Sequence, residues 1–279
     1  MNDGHAFSDA PTPAAGGRHA PLAFEAGRLL FASAILVFGI EHLVFAGAAA
    51  AEMYPWVLGS PAWNYAFGTL LVTVSVCIGI KKKVPLAAGV LGPTLCLYAL
   101  LLYVPRIVVH GHDPGPWTRI FGLGRALAAT GELLAMSGAA WVLAGSRIGN
   151  RPCVLGRALF AAPLVVFGIQ HFLYPAYLAT LIPAWIPGHL FWEDFVGTAF
   201  IAAAAGIATN RAARPAALLL GTMFGVFVVV LHVPRVVGAV RSVDEWTSAF
   251  VAVAMCGGAF VLGEAGRREG RRPMRAVTA

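Results

Sequence analysis

The chain is poor in charged residues. Only 12% of its 279 residues are Asp, Glu, Lys or Arg, and its mean hydropathy is +0.75. A soluble domain carries about 25% charged residues, which cover its surface, so this shortage excludes an ordinary water-soluble protein. The net charge of +7 lies mostly in loops and at the Arg-rich end of the chain. We expect that end to contact anionic lipid and not nucleic acid.

Paired cysteines are also missing. The four cysteines form no Cys-x-x-Cys pair, and none of them is duplicated. A dithiol redox centre needs two neighbouring thiols on an accessible face, so the sequence argues against one. We expect the cysteines to be small buried side chains, with a contact between Cys77 and Cys96 across two helices as the alternative. No metal site is predicted.

Long apolar runs are abundant, and each is close to the roughly 20 residues that cross a hydrocarbon core of about 30 Å. Lipid offers no hydrogen-bond partner to open strands, so the runs are expected to be helices. The sequence therefore predicts an all-α integral membrane protein with eight transmembrane helices. The runs are Leu29–Phe45, Ala62–Ile80, Leu86–Val104, Phe121–Ala144, Ala158–Tyr174, Leu190–Thr209, Ala216–Val233 and Trp246–Leu262.

A block of the chain occurs twice without a gap. Residues 27–118 pair with residues 156–247, and the shared residues include rare types such as His, Trp, Arg and Pro. Such a repeat indicates duplicated structural units. It predicts two parallel four-helix repeats, at 24–146 and 147–264, whose pseudo-two-fold axis runs along the membrane normal. Residues 1–23 are expected to be a disordered cytoplasmic segment, and residues 265–279 an Arg-rich cytoplasmic tail.

Basic residues set the expected orientation. With the N-terminus inside, the inner loops and ends hold 15 Lys and Arg residues and the outer side holds 5. Positive residues favour the cytoplasmic side. We therefore expect a multi-pass protein of a bacterial-type cytoplasmic (inner) membrane with both termini in the cytoplasm. Residues 1–23 lack the apolar segment of a signal peptide.

The repeated polar and aromatic residues are expected to lie near the outer face. His42 is 14 residues after Arg28, or about 21 Å along a helix that starts at the inner boundary. Polar groups inside a membrane are costly and usually face a bundle interior or a wet cavity. The candidate ligand-binding residues are Glu41, His42, Trp56, Arg106 and Trp117 in the first repeat and Gln170, His171, Trp185, His232, Arg235 and Trp246 in the second.

Several of these residues have structural alternatives. The tryptophans can be interfacial anchors, and a histidine near the boundary can simply be solvated. Arg28 and Arg157 are interpreted as inner-boundary anchors that reach lipid phosphate. Glu132, at membrane depth in the fourth helix, is a further candidate. The copies differ, since Glu41 pairs with Gln170, and the sequence leaves open which copy keeps a site.

The segment from Phe167 to Pro175 resembles the DoxX-like family of four-helix membrane proteins. That family shows Gly-x-x-His-Phe near the end of its first helix, as Gly168 to Phe172 do here, then a Pro-rich aromatic loop and a Gly-bearing second helix, as at Gly197. The first repeat matches more loosely through Gly39, His42 and Gly68. The acidic residue that many members carry after the second-helix Gly is missing.

The resemblance implies a tandem fusion of two DoxX-like units. The family includes subunits linked to quinone-coupled sulfur oxidation and to membrane oxidoreductase complexes. The first hypothesis is therefore a redox-associated protein with a site for a quinone-like or other small amphiphilic ligand near the outer face, working with a redox partner protein. Haem ligation by His42 with His171 or His232 is a weaker form of it. A transporter and a non-catalytic scaffolding subunit are the alternatives, and a homo-oligomer stays open.

Overall fold

The computed structural model describes residues 21–47, 60–110, 112, 115, 120–148 and 150–269. Within this part of the chain there are eight helices that are long and apolar enough to cross a membrane, as predicted. The chain is therefore an all-α, multi-pass membrane protein. The helices are α1 (Leu22–Val44), α2 (Pro61–Gly79), α3 (Val84–Val109), α4 (Gly122–Gly145), α5 (Arg151–Leu173), α6 (His189–Ala208), α7 (Ala213–Gly238) and α8 (Val243–Ala265).

The helix ends extend beyond several of the predicted apolar runs. Helix α1 begins at Leu22, so the last two residues of the segment predicted to be disordered are helical. The last helix continues to Glu269, into the predicted tail. Residues 1–20 and 270–279 lie outside the described residues. Hydropathy alone misses such ends because polar residues in a terminal turn still satisfy the backbone by helical hydrogen bonds.

The predicted lipid-anchor role of Arg28 is wrong. Its side chain is buried and donates hydrogen bonds to the backbone carbonyls of Ile78 and, at 2.7 Å, Gly79. Helix ends leave unpaired carbonyls, which attract cations. Glu25 completes the arrangement at 2.9 Å from Arg28 and 3.0 Å from Lys81. Arg28 therefore caps α2 and does not reach lipid.

The central helices are exchanged between the two predicted repeats. Helix α1 packs against α2 and α8, and α5 packs against α6 and α4, while α4 and α8 contact each other at the centre. Glycines permit both exchanges, because a Cβ atom at Gly27 would lie 2.7 Å from the carbonyl oxygen of Gly257, and one at Gly156 would lie 2.5 Å from that of Gly138. The fourth helix of each predicted repeat thus packs against the first helix of the other.

Helices α3 and α7 contain matching π-turns. The turns span Ala99–Tyr103 and Val228–His232, and each is followed by Val-Pro-Arg. Proline has no N–H and its ring clashes with the carbonyl four residues earlier, so a wider turn before Pro105 and Pro234 relieves the clash. Such turns are frequent at functional sites. They set the direction in which Tyr103 and His232 leave their helices.

Candidate functional site

A cavity of about 150 Å³ lies inside the bundle, at the end where α1 ends and α4 begins. Five helices line it, α1 to α4 and α8, so the helix exchange is needed to close it. Its lining combines apolar walls with six polar side chains. The apolar residues are Phe38, Phe67, Leu71, Leu95, Ala129, Leu133, Met136 and Val251, and the polar ones are Glu41, His42, Tyr98, Tyr103, Glu132 and Thr247.

His42 is fixed by two hydrogen bonds. Its Nδ1 atom lies 2.8 Å from the carbonyl oxygen of Phe38, and its Nε2 atom lies 3.0 Å from the hydroxyl of Tyr98. A carbonyl only accepts, so Nδ1 carries the proton, and in the neutral ring Nε2 accepts from Tyr98. The ring of Phe67 stacks on Tyr98 at 4.4 Å and holds the phenol in place. His42 therefore lines the cavity in a fixed orientation, and each of its two ring nitrogens has a hydrogen-bond partner.

Two carboxyl groups face the same cavity. The hydroxyl of Thr247 in α8 lies 3.1 Å from Glu41 Oε2 and 3.0 Å from the Val243 carbonyl oxygen. Glu132 is half-buried in α4, and among the described residues none donates a hydrogen bond to it or pairs with it. The described lining contains no Arg or Lys. The cavity is therefore rich in hydrogen-bond acceptors, and His42 is the basic side chain in its described lining.

Arg106 lies beside this cavity and not in its lining. Its guanidinium carbon is 5.2 Å from the centre of the Tyr103 ring, in a cation–π contact. Tyr103 itself lines the cavity. At the π-turn before Pro105, Tyr103 therefore faces the cavity, and Arg106 contacts the Tyr103 ring without lining the cavity. The structure brings together the candidates Glu41, His42 and Glu132 with Tyr103, and Arg106 lies outside this cavity lining.

The corresponding region of the second half is packed with aromatic rings. Leu71, Leu95 and Tyr98 correspond to Phe200, Phe224 and Phe227. The Phe200 ring lies 5.8 Å from Phe167, 5.4 Å from His171 and 5.7 Å from Phe224, and Phe224 lies 6.0 Å from Phe227. Aromatic rings therefore pack together at the positions where the first half has the cavity residues Leu71, Leu95 and Tyr98. The polar cavity thus lies beside the first-half helices α1 to α4, and Thr247 and Val251 of α8 complete its lining.

The Nε2 atom of His171 has a different neighbour from the Nε2 atom of His42. Its Nδ1 atom lies 2.8 Å from the Phe167 carbonyl oxygen, as in the first half. Phe227 offers no hydroxyl, and His171 Nε2 instead lies 3.7 Å from a carboxylate oxygen of Glu193. That distance is too long for a hydrogen bond. Glu193 is 5% exposed, and this oxygen has no hydrogen-bond partner among the described residues.

The other second-half candidates make structural contacts. Gln170 donates its amide to the Gly124 carbonyl oxygen at 2.9 Å and ties α5 to the start of α4. Arg235 pairs with Glu245 at 2.9 Å and lines an open groove of about 740 Å³. The buried Nδ1 atom of His232 has no partner within the described ranges. The structure does not bring these three residues into the cavity.

The tryptophans lie away from the cavity where the structure describes them. Trp185 is 72% exposed, and Trp246 donates its indole N–H to the Val240 carbonyl oxygen at 2.9 Å. Trp56 and Trp117 lie outside the described residues. Neither Trp185 nor Trp246 lines the cavity, and their interfacial role stays a prediction.

The sequence analysis did not include three polar cavity residues among its candidates, namely Tyr98, Tyr103 and Thr247. The signal for Tyr98 was its replacement by Phe227 in the second copy. Thr247 belongs to a repeated Trp-Thr pair, but its place at the cavity depends on the packing of α8 against α1. No local pattern predicts that packing.

A family model matches part of the chain. The family is described as a domain of unknown function (DUF8561), and the match covers residues 160–257. The matched segment starts in α5 and ends in α8, inside the second predicted repeat, so it is similar in extent to one four-helix unit. No curated protein and no solved structure matches the chain.

Proposed function

We propose that the protein is a DoxX-like, redox-associated membrane subunit that binds the headgroup of a quinone-like amphiphile in the first-half cavity. The observation that carries the proposal is the convergence of Glu41, His42 and Glu132 with Tyr98 on one partly open cavity between transmembrane helices. Polar and ionisable groups are expensive at such positions and mark functional sites. The aromatic and aliphatic walls suit the ring of such a ligand.

The size of the cavity limits what it can hold. A protein cavity of about 150 Å³ accommodates one benzene-sized ring, and the volume here is about 150 Å³. Drug-sized ligands need about 300–1,000 Å³. The proposed ligand therefore places a single substituted ring in the cavity and leaves an apolar tail among the helices or in lipid.

The residues supply binding and proton-accepting groups, and the electrons must come from elsewhere. Oxidation or reduction of a quinone-type ring moves two electrons and two protons, and the four cysteines lie on separate elements and form no disulfide. A redox partner protein would provide the electron path. The positive-inside bias places the cavity end at the outer face, where such a partner would dock.

A binding measurement with the purified full-length protein tests the proposal. We expect a short-chain quinone or quinol to bind to the wild type and to bind at least about tenfold more weakly to His42→Ala. The substitution removes a side chain that lines the cavity and leaves the Tyr98 hydroxyl without its hydrogen-bond partner. The matched control is His171→Ala, the same change at the equivalent position of the second half. Absence of binding of both redox forms to the wild type, above that to empty detergent micelles, would refute the proposal.

A further inference from the structure

Three hydrogen-bond donors around the cavity, on His42, Tyr98 and Thr247, already face acceptors, whereas several acceptor sites do not have donors. The Nδ1–H of His42 is given to the Phe38 carbonyl, and the Tyr98 hydroxyl faces His42 Nε2. Thr247 has a single hydroxyl proton, and two acceptors, Glu41 and the Val243 carbonyl, compete for it. The surrounding backbone amides belong to helices. A ligand therefore finds few donors.

Acceptor sites remain on three side chains. Glu132 lines the cavity, and its carboxyl group has no hydrogen-bond partner among the described residues. Glu41 keeps its second oxygen, because only Oε2 is contacted by Thr247. A phenol that donates its proton can still accept one bond, so Tyr98 adds a third acceptor. Tyr103 can donate or accept and does not distinguish ligands.

We infer that the cavity selects a ring that donates hydrogen bonds, an aromatic diol of the quinol class, over the oxidised quinone. The inference rests on the proposed function and specifies its ligand. A quinol offers two hydroxyl donors to the unpaired acceptors of Glu41 and Glu132. A quinone offers only carbonyl acceptors, which would face carboxyl oxygens and leave buried acceptors unpaired, at a cost in affinity.

Protonation of a carboxyl group does not reverse this selection. A protonated carboxyl has one donor and keeps acceptor capacity, so it can bind either redox form. An ionised carboxyl can only accept, so it binds the quinol alone. Across the protonation states of Glu41 and Glu132, the quinol therefore binds as well as or better than the quinone.

Three ligands with the same ring test the inference: a short-chain quinol, its quinone and its dimethyl ether. Binding to the full-length protein is measured anaerobically by equilibrium dialysis against matched empty micelles. We expect the quinol to bind at least about tenfold more tightly than the other two, since one hydrogen bond to a charged group is worth that much or more. The ether keeps the aromatic ring of the quinol but has no hydroxyl donors, so it tests the loss of the donors alone.

The variant Glu132→Gln reports on the mechanism of selection. The amide has nearly the same shape but adds N–H donors, so the preference for quinol over quinone should fall at least about tenfold. Glu193→Gln is the matched control in the second half, where the preference should persist. Equal or tighter quinone binding by the wild type would overturn the inference and leave the proposed function standing, whereas no binding of any of the three would overturn both.

Discussion

The hydroxyl of Thr247 lies 3.1 Å from the carboxylate of Glu41, a contact between the last transmembrane helix and the first. It is possible because α8 occupies, beside α1, the place that α4 would take if each half were a separate bundle. The cavity is therefore assembled from both halves of the chain. Anything that loosens α8 from α1 should open it.

Replacing Thr247 by Val should destabilise the protein and weaken ligand binding. The change removes the donor to Glu41 and leaves a half-buried carboxyl group without it, at a cost of about 1–3 kcal/mol. The measurement is thermal unfolding in detergent, with ligand affinity as a second readout.

Thr222→Val is the matched control, since Thr222 donates only to the Leu218 carbonyl of its own helix. A double-mutant cycle with Glu41→Gln isolates the pair, because residues in contact show a coupling free energy and distant residues do not. Additive effects of Thr247→Val and Glu41→Gln would contradict the contact.

Substituting Gly257 by Ala should separate α8 from α1. The new Cβ atom would lie 2.5 Å from the backbone nitrogen of Phe31 and 2.6 Å from the Gly27 carbonyl oxygen. Backbone atoms cannot move aside locally, so the helices must part, and we expect a loss of about 1–3 kcal/mol in unfolding free energy.

Gly89→Ala is the control for the Gly257 substitution. A Cβ atom at Gly89, inside α3, meets no other atom within 4 Å, so the substitution should be neutral or stabilise the helix by up to about 1 kcal/mol. Unfolding temperatures of the two variants in the same detergent give the comparison. A Gly257→Ala protein as stable as Gly89→Ala would argue against the exchanged packing of α8.

Arg28→Met should cost about 2–3 kcal/mol, because it removes charge-assisted hydrogen bonds to the carbonyls that end α2. It also deprives Glu25 of its closest cation. Lys82→Met, at an exposed position of the following turn, should change the unfolding free energy by no more than about 0.5 kcal/mol. Equal effects in chemical unfolding would return Arg28 to the lipid-anchor role.

The eight helices could be predicted because each apolar run is long enough to cross a bilayer by itself. The position of Glu132 at membrane depth and the convergence of Glu41, His42 and Tyr103 on one bundle end also follow from helix rise and register. These are properties of single helices. They depend on spacing along the chain and on nothing that another helix does.

The packing of the helices could not be predicted in this way. Gly257 looks like any small residue in α8, and only its contact with Gly27 shows that α8 adjoins α1. The lipid-anchor prediction for Arg28 was wrong for the same reason, since the carbonyl partners of Arg28 lie in another helix. The exclusion of Arg106 from the cavity depends on a π-turn, which a uniform helix model omits.

The last prediction concerns a substitution in the cavity that introduces the aromatic residue found at the corresponding position of the second half. Leu71 lines the cavity and is 1% exposed, and its counterpart Phe200 packs among Phe167, Phe224 and His171. Leu71→Phe should place a ring where the ligand ring would lie. We expect the unfolding free energy to be kept or raised, because the added ring fills existing space, and ligand affinity to fall at least about tenfold.

Val76→Phe is the control for this substitution. Val76 is 43% exposed, so the variant should bind the ligand normally. Retention of wild-type affinity by Leu71→Phe would place the ligand outside this cavity, whatever the behaviour of the histidine variants.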